Sequence, residues 1–135
     1  YFSYNFVSSE NKADEIEYKL LNEYTNLSVN FITNFIFEKQ VGKNSSGSTE
    51  FALSNYLFFK QQIFNEVKLG LIGFSEFGKI SDFNSFQNQE HQYGIQIEKD
   101  FNLIDSEIEF SIGFLFGLTH SSPNSTIVWN IESEF

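Results

Sequence analysis

Cysteine and methionine are absent from this chain, and proline and tryptophan occur once each. Without cysteine there is no disulfide, no thiolate nucleophile and no thiolate-held metal. Without methionine the 135 residues do not begin at a start codon, so a processed mature protein or a fragment is expected. A cleaved export signal is compatible with this, although no such segment is visible. Basic residues are scarce, 8 against 18 acidic ones, for a formal net charge of −10. That balance argues against a nucleic-acid partner, because phosphate binding needs a basic patch. Long apolar runs are also lacking. The longest are a few residues, as in 113–118, whereas a membrane-crossing helix needs roughly 20.

Phenylalanine is abundant, with 18 residues, and it combines high strand propensity with a large apolar surface. The dominant pattern is alternation with period two, the signature of strands with two unlike faces. Eight strands are predicted, over 1–9, 15–24, 27–38, 49–60, 66–77, 90–101, 106–118 and 125–135. Turn-forming residues separate them, most clearly in the 43–48 stretch Lys-Asn-Ser-Ser-Gly-Ser. No helix of normal length fits, and no linker divides residues 1–135 into more than one domain.

Sorting each strand by parity segregates two faces. One carries, among others, Phe31, Phe35, Phe37, Phe51, Leu57, Phe59, Leu71, Tyr93, Ile95, Ile97, Ile112, Phe114, Phe116, Ile127 and Trp129. The other carries Glu17, Lys19, Asn34, Glu38, Glu50, Ser54, Lys68, Glu76, Gln96, Glu98, Glu109, Ser111 and Asn130. Ile72 and Phe74 fall on the polar parity, and a bulge in that strand would restore the pattern. So many large residues on one face would overfill a small barrel from inside, so that face is expected to meet lipid. A soluble barrel or sandwich, with its apolar face turned to the core, is the alternative.

Loop lengths point the same way. The connections after the second, fourth and sixth strands are short, and the longest, 40–48 and 80–89, follow odd-numbered strands. Short turns at one end and long loops at the other are usual in outer-membrane barrels. The strands, about 9–12 residues long, match what a tilted strand needs to cross a bilayer.

The last segment, 126–135, alternates apolar residues and ends on Phe135. It resembles the terminal strand by which the bacterial barrel-assembly machinery recognises its clients, with Ser133 a departure where an apolar residue is more usual. A wider resemblance rests on 109–119, which closes on Gly117-Leu118-Thr119, then Ser122-Pro123, Thr126 and a final Glu132-Ser133-Glu134-Phe135. These residues are similar to the ending of a group of uncharacterised proteobacterial outer-membrane proteins. The resemblance implies an outer-membrane β-barrel with lipid and the assembly machinery as partners. It implies no activity.

Several constellations bear on chemistry. With simple hairpin registers, Glu98 is expected opposite Glu109, and Glu109 opposite Glu134, with Glu107, Glu132 and Lys68 close by. Such a row would attract cations, as acidic rings do in pores. The alternative is a hydrated filling neutralised by Lys19, Lys60 and Lys68. His120 beside Ser121 and Ser122 raises a lipid-acting barrel esterase or acyltransferase, but adjacent residues point different ways and no orienting acid is evident. His91 and His120 fall in different connections, so no metal site is expected. Phe35, Phe37, Phe51, Tyr93, Phe114 and Phe116 are expected at the outer membrane interface, and Phe59, Phe101 and Phe135 at the inner one, with Trp129 a further interfacial aromatic. Lys39, at a strand end, would reach lipid phosphate.

The expectation is therefore an all-β, antiparallel, up-and-down transmembrane barrel of about eight strands, or eight strands of a larger one. It is expected in the bacterial outer membrane, without cofactor or enzymatic activity. The role is envelope-structural or that of a passive pore for small solutes or cations. A soluble lipocalin-like barrel binding a small apolar ligand is the alternative.

Overall fold

A computed structural model describes residues 2–5, 13–43, 45–64, 67–103 and 106–134. The strands are β1 (Phe2–Asn5), β2 (Asp14–Thr25), β3 (Val29–Val41), β4 (Thr49–Phe64), β5 (Val67–Lys79), β6 (Asp82–Phe83), β7 (Glu90–Leu103), β8 (Ser106–Gly117) and β9 (Ser125–Glu134). A 3-10 turn at Phe86–Asn88 is the only helical element among the described residues. Eight strands follow one another in a single antiparallel sheet, β1-β2-β3-β4-β5-β7-β8-β9, and the two-residue β6 hairpins back onto β5. Among the described residues no helix is long and apolar enough to cross a membrane, which leaves crossing by strands open. The eight predicted segments and the up-and-down order agree with the structure. Residues 1 and 6–9 of the first segment, 66 of the fifth and 135 of the last lie outside the described residues.

Among the described residues the expected closure into a barrel is not present: the sheet is open, with β1 and β9 as its edges. Among the described residues, Phe2–Asn5 of β1 pair with 15–18 of β2. A closed barrel needs strand number, tilt and stagger to agree all the way round. The sheet nevertheless curls, because one cavity is lined from β2, β3, β4, β5, β7, β8 and β9. The concave side is called inner below.

Alternation sends Phe31, Leu71, Tyr93, Ile95, Ile97, Ile112, Phe114, Phe116, Ile127 and Trp129 to the outer face, where all are exposed. The inner face buries Ile72 and Leu115 together with Ser54, Gln96, Glu98 and Ser111. The bulge expected near Ile72 and Phe74 lies further along, at Phe77, where Phe51 and Ala52 face Gly78 and Glu76. Ile72 and Phe74 therefore stay on the inner face, in register with Tyr56 and Ser54. They are tolerated there because the inner face is not wholly polar. Tyr56 meets Phe74 edge-on at 6.0 Å, and a side chain at Gly113 would crowd Val128 and come into contact with Ile72. The outer face is not wholly apolar either. A row of Asn22, Thr33 and Asn55 crosses it, and Thr33 Oγ1 donates to Asn55 Oδ1 at 3.1 Å. Next in that row, Gly73 leaves room for the Tyr93 ring, whose hydroxyl lies 2.9 Å from Ser75 Oγ.

The two ends of the sheet differ. At one, β2 turns into β3 through Asn26, whose Oδ1 accepts from the backbone N–H of Ser28 and Val29 at 2.8 and 2.9 Å. Strands β7 and β8 pair as far as Leu103 and Ser106. At the other end, loops 80–89 and 118–124 are tied together. Thr119 Oγ1 donates to the Gln89 carbonyl at 2.6 Å, and the Leu118 N–H donates to the His91 carbonyl at 2.8 Å.

Candidate functional site

The carboxylates of the inner face gather into two sets. Toward the short-turn end, Lys68 on β5 stands opposite Glu98 on β7. Lys68 Nζ lies 2.8 Å from Glu98 Oε1 and 2.9 Å from Asp100 Oδ2. Glu109 on β8 completes the cluster, with carboxylate oxygens of Glu98, Asp100 and Glu109 within 4.8 Å of one another. Like charges at that distance repel unless a cation lies between them, and Lys68 provides one. Glu98 is buried, so its partner matters more than a surface pair would.

The expected row of Glu98, Glu109 and Glu134 is corrected by the register. Glu98 faces Ser111, Glu109 faces Asp100 and Glu132, and Glu107 faces Glu134. Both hairpins are displaced by two residues from the simple register: β7 and β8 run on to pair Leu103 with Ser106, and β8 and β9 begin their pairing at Phe116 and Ser125. Glu98 and Glu109 still meet, diagonally instead of directly opposite. Asp100, which the sequence reading passed over, becomes part of the cluster. Its signal was its spacing of two from Glu98, which puts both on one face of β7. Glu132 is exposed on β9.

The second set was not anticipated. Glu17, Glu38 and Glu50 form a continuous row across β2, β3 and β4, ending on Lys79 of β5. Glu76 stands opposite Glu90 on the neighbouring pair. Glu38, Glu50, Glu76 and Glu90 line a recess of about 180 Å³ at the long-loop end. Lys19 reaches Glu17 at 3.1 Å.

Between the two acidic sets lies the cavity around which the sheet curls, about 480 Å³ in volume. Tyr56, Ile72 and Phe74 line its apolar side, and Gln96, Glu98 and Glu109 its polar side. Asn34 Nδ2 donates to Ser54 Oγ at 2.9 Å, but Asn34 Oδ1 and Gln96 Oε1 are buried without a hydrogen-bond partner.

The aromatic residues expected at the interfaces are mostly on the outer face. Phe35, Phe37 and Phe51 join Tyr18, Phe77 and Phe83 in a chain of ring contacts at the long-loop end. Phe114 and Phe116 meet edge-on at 4.8 Å. Trp129 is 67% exposed and borders the cavity from edge strand β9. Phe101 is exposed, with Lys99 Nζ 5.2 Å from its ring centre, whereas Phe135 lies outside the described residues.

His91 and Ser122 form a brace. Ser122 Oγ accepts the His91 N–H at 2.7 Å, donates to the His91 carbonyl at 3.0 Å and lies 2.6 Å from Thr119 Oγ1. The His91 ring stacks on Phe86 and bonds Gln89 Oε1 through Nε2 at 2.8 Å. His120 is exposed. The Ser122 hydroxyl is thus held by backbone, and its role is to fasten one loop to the next.

Compared with known protein families, with characterised proteins and with solved structures, the chain matches none.

Proposed function

We propose that this chain forms the wall of an outer-membrane β-barrel whose outer face meets lipid. Its inner face lines a narrow, part-filled lumen that admits small cations at acidic mouths. The observation that carries this reading is the distribution of exposure. Large apolar side chains lie open on one face, while a glutamate and several polar residues are buried on the other. Water-soluble sheets bury the apolar face, and an apolar surface of this extent marks an interaction site. Stretch 108–116 presents an outer apolar band about nine residues long, the span of a tilted membrane strand, and 29–37 and 51–59 do the same but for Thr33 and Asn55, which pair with each other at their centres. Short turns at one end, long braced loops at the other, and the resemblance of the terminal strand support the same reading. Closure is proposed to come from further pairing at the β1 and β9 edges.

The lipocalin-like alternative draws only on the apolar side of the cavity, and it leaves the outer aromatics without a partner. Ile95 separates the two readings. It is 55% exposed in the middle of the outer face. Facing lipid at mid-depth, Ile95→Arg should cost about 2–4 kcal/mol. The wild type is expected to insert into vesicles and to migrate differently on gels before and after heating, and the variant to fail. If the variant behaves as the wild type does, the outer face meets water and the proposal is wrong.

A further inference from the structure

Resting on the lipid-facing reading above, we infer that the outer face of β2, β3 and β4 is the contact surface for a second copy of this chain within the bilayer. A polar row crosses that otherwise apolar field. Asn22, Thr33 and Asn55 stand in register across the three strands. The row Leu20, Phe35 and Leu53 flanks them on one side, and Tyr24, Phe31 and Leu57 on the other. Thr33 and Asn55 fall at the centres of 29–37 and 51–59, so the polar row lies at mid-depth.

Hydrocarbon offers such a row nothing. Thr33 Oγ1 donates to Asn55 Oδ1 at 3.1 Å, which settles one donor and one acceptor. Among the described residues, Asn55 Nδ2 and the whole Asn22 side chain make no hydrogen bond. In water these groups would be hydrated. In lipid they need another polar surface, because each unmet group is costly there. The other half of the same face is built differently. On β7–β9 the two central rows, Ile95–Phe114–Ile127 and Ile97–Ile112–Trp129, are wholly apolar and exposed. One half suits lipid. The other carries polar side chains able to hydrogen-bond across, the usual mark of a contact with protein inside a membrane.

The order of the row selects the occupant. An amide stands at each end and a hydroxyl between them. Two copies inserted in the same direction are related by a twofold axis along the membrane normal. An axis passing beside Thr33 sets Asn22 of one copy on the same side as Asn55 of the partner subunit, with the two threonines across from each other. Asn22 offers an acceptor and Asn55 Nδ2 a donor, so the surface complements itself. A lipid headgroup does not reach the row, since headgroups lie about 15 Å from mid-depth. The row stops at β5, where Gly73 is bare and the Tyr93 ring fills the space over it. Four strands, β2 to β5, spaced about 4.8 Å and about 30 Å long, offer about 600 Å² per copy. Two such faces reach the roughly 1,200 Å² at which stable interfaces begin.

The chain has no cysteine, so single-cysteine variants report position cleanly. Thr33→Cys and, on the lipid half, Ile112→Cys are refolded as full chains into phosphatidylcholine vesicles and treated with a short bis-maleimide. Thr33→Cys is expected to give cross-linked dimers and Ile112→Cys to stay largely monomeric. Asn22→Leu added to Thr33→Cys should weaken association about tenfold, read from the protein-to-lipid ratio at half-maximal cross-linking, because the contact is lost once in each copy. Asn22 makes no bond within its own copy, so this variant should fold, which its heat-dependent gel migration checks. Equal cross-linking at both positions would reflect crowding and overturn the inference, as would dimers that Asn22→Leu leaves unweakened. Insertion is scored in parallel by vesicle flotation. An inserted chain that stays monomeric leaves the row to a different protein and sinks this inference alone. A chain that does not enter vesicles sinks the membrane reading, and this inference with it.

Discussion

Lys68 is the residue on which the short-turn acidic cluster depends. It is partly exposed, while Glu98 beside it is almost wholly buried. Removing the cation leaves a buried carboxylate with like-charged neighbours, the costly way to break an ion pair. Lys68→Met is expected to lower stability by about 1–3 kcal/mol, at the lower end because the pair is not fully enclosed. Urea unfolding measures this. Adding Glu98→Gln to the same chain should restore much of the loss, because the uncompensated charge is then gone. If the double variant is as unstable as the single one, Lys68 contributes through packing and not through charge. The register correction belongs to this scale too. Asp100 enters the cluster because it faces Glu109, which no count along the sequence could decide.

Among elements, the β2–β3 hairpin shows how local chemistry sets strand ends. Asn26 Oδ1 holds two backbone N–H groups, those of Ser28 and Val29, which would otherwise be unpaired in the turn. Asn26→Ala should cost about 1 kcal/mol, and Asn26→Asp, which keeps the acceptor, should cost less. Thermal unfolding of the two variants compares them. Equal losses would mean that the side-chain acceptor does not define the turn. This hairpin was legible in the sequence because Asn is a turn former flanked by alternating residues. The bulge was legible only in part. The parity break at Ile72 and Phe74 called for one, but the bulge lies at Phe77 and both residues stay inside. Parity cannot tell an apolar residue forced inward from one relieved by an irregularity further along. That choice depends on what lies across the cavity, here Tyr56, Val128 and the bare Gly113.

For the whole molecule, the two acidic sets at opposite ends of the inner face are the feature with functional reach. If the lumen conducts, cations should pass in preference to anions, and the long-loop set should dominate entry. Glu38→Gln combined with Glu50→Gln removes two of three charges from the β2–β4 row. The reversal potential across a salt gradient is expected to move toward zero, with little change in folding, since both residues lie toward strand ends. A conducting double variant with undiminished cation preference would take that row out of the mechanism. Screening gives a second check, because the preference should weaken as salt rises through about 0.1 M and the Debye length contracts.

The sequence by itself determined the strands, their order of appearance, the short and long ends, and which residues share a face. Each of these follows from a period of two or from turn chemistry, and both are local. Only the tertiary structure decided which carboxylates meet, where the bulge falls, and that the sheet curls round a cavity with its edges unjoined. The physical reason is that a hairpin can slip by two residues without moving any side chain to the other face. Alternation is blind to such a shift, whereas the distance between Glu98 and Glu109, and the company Gln96 keeps, depend wholly on it.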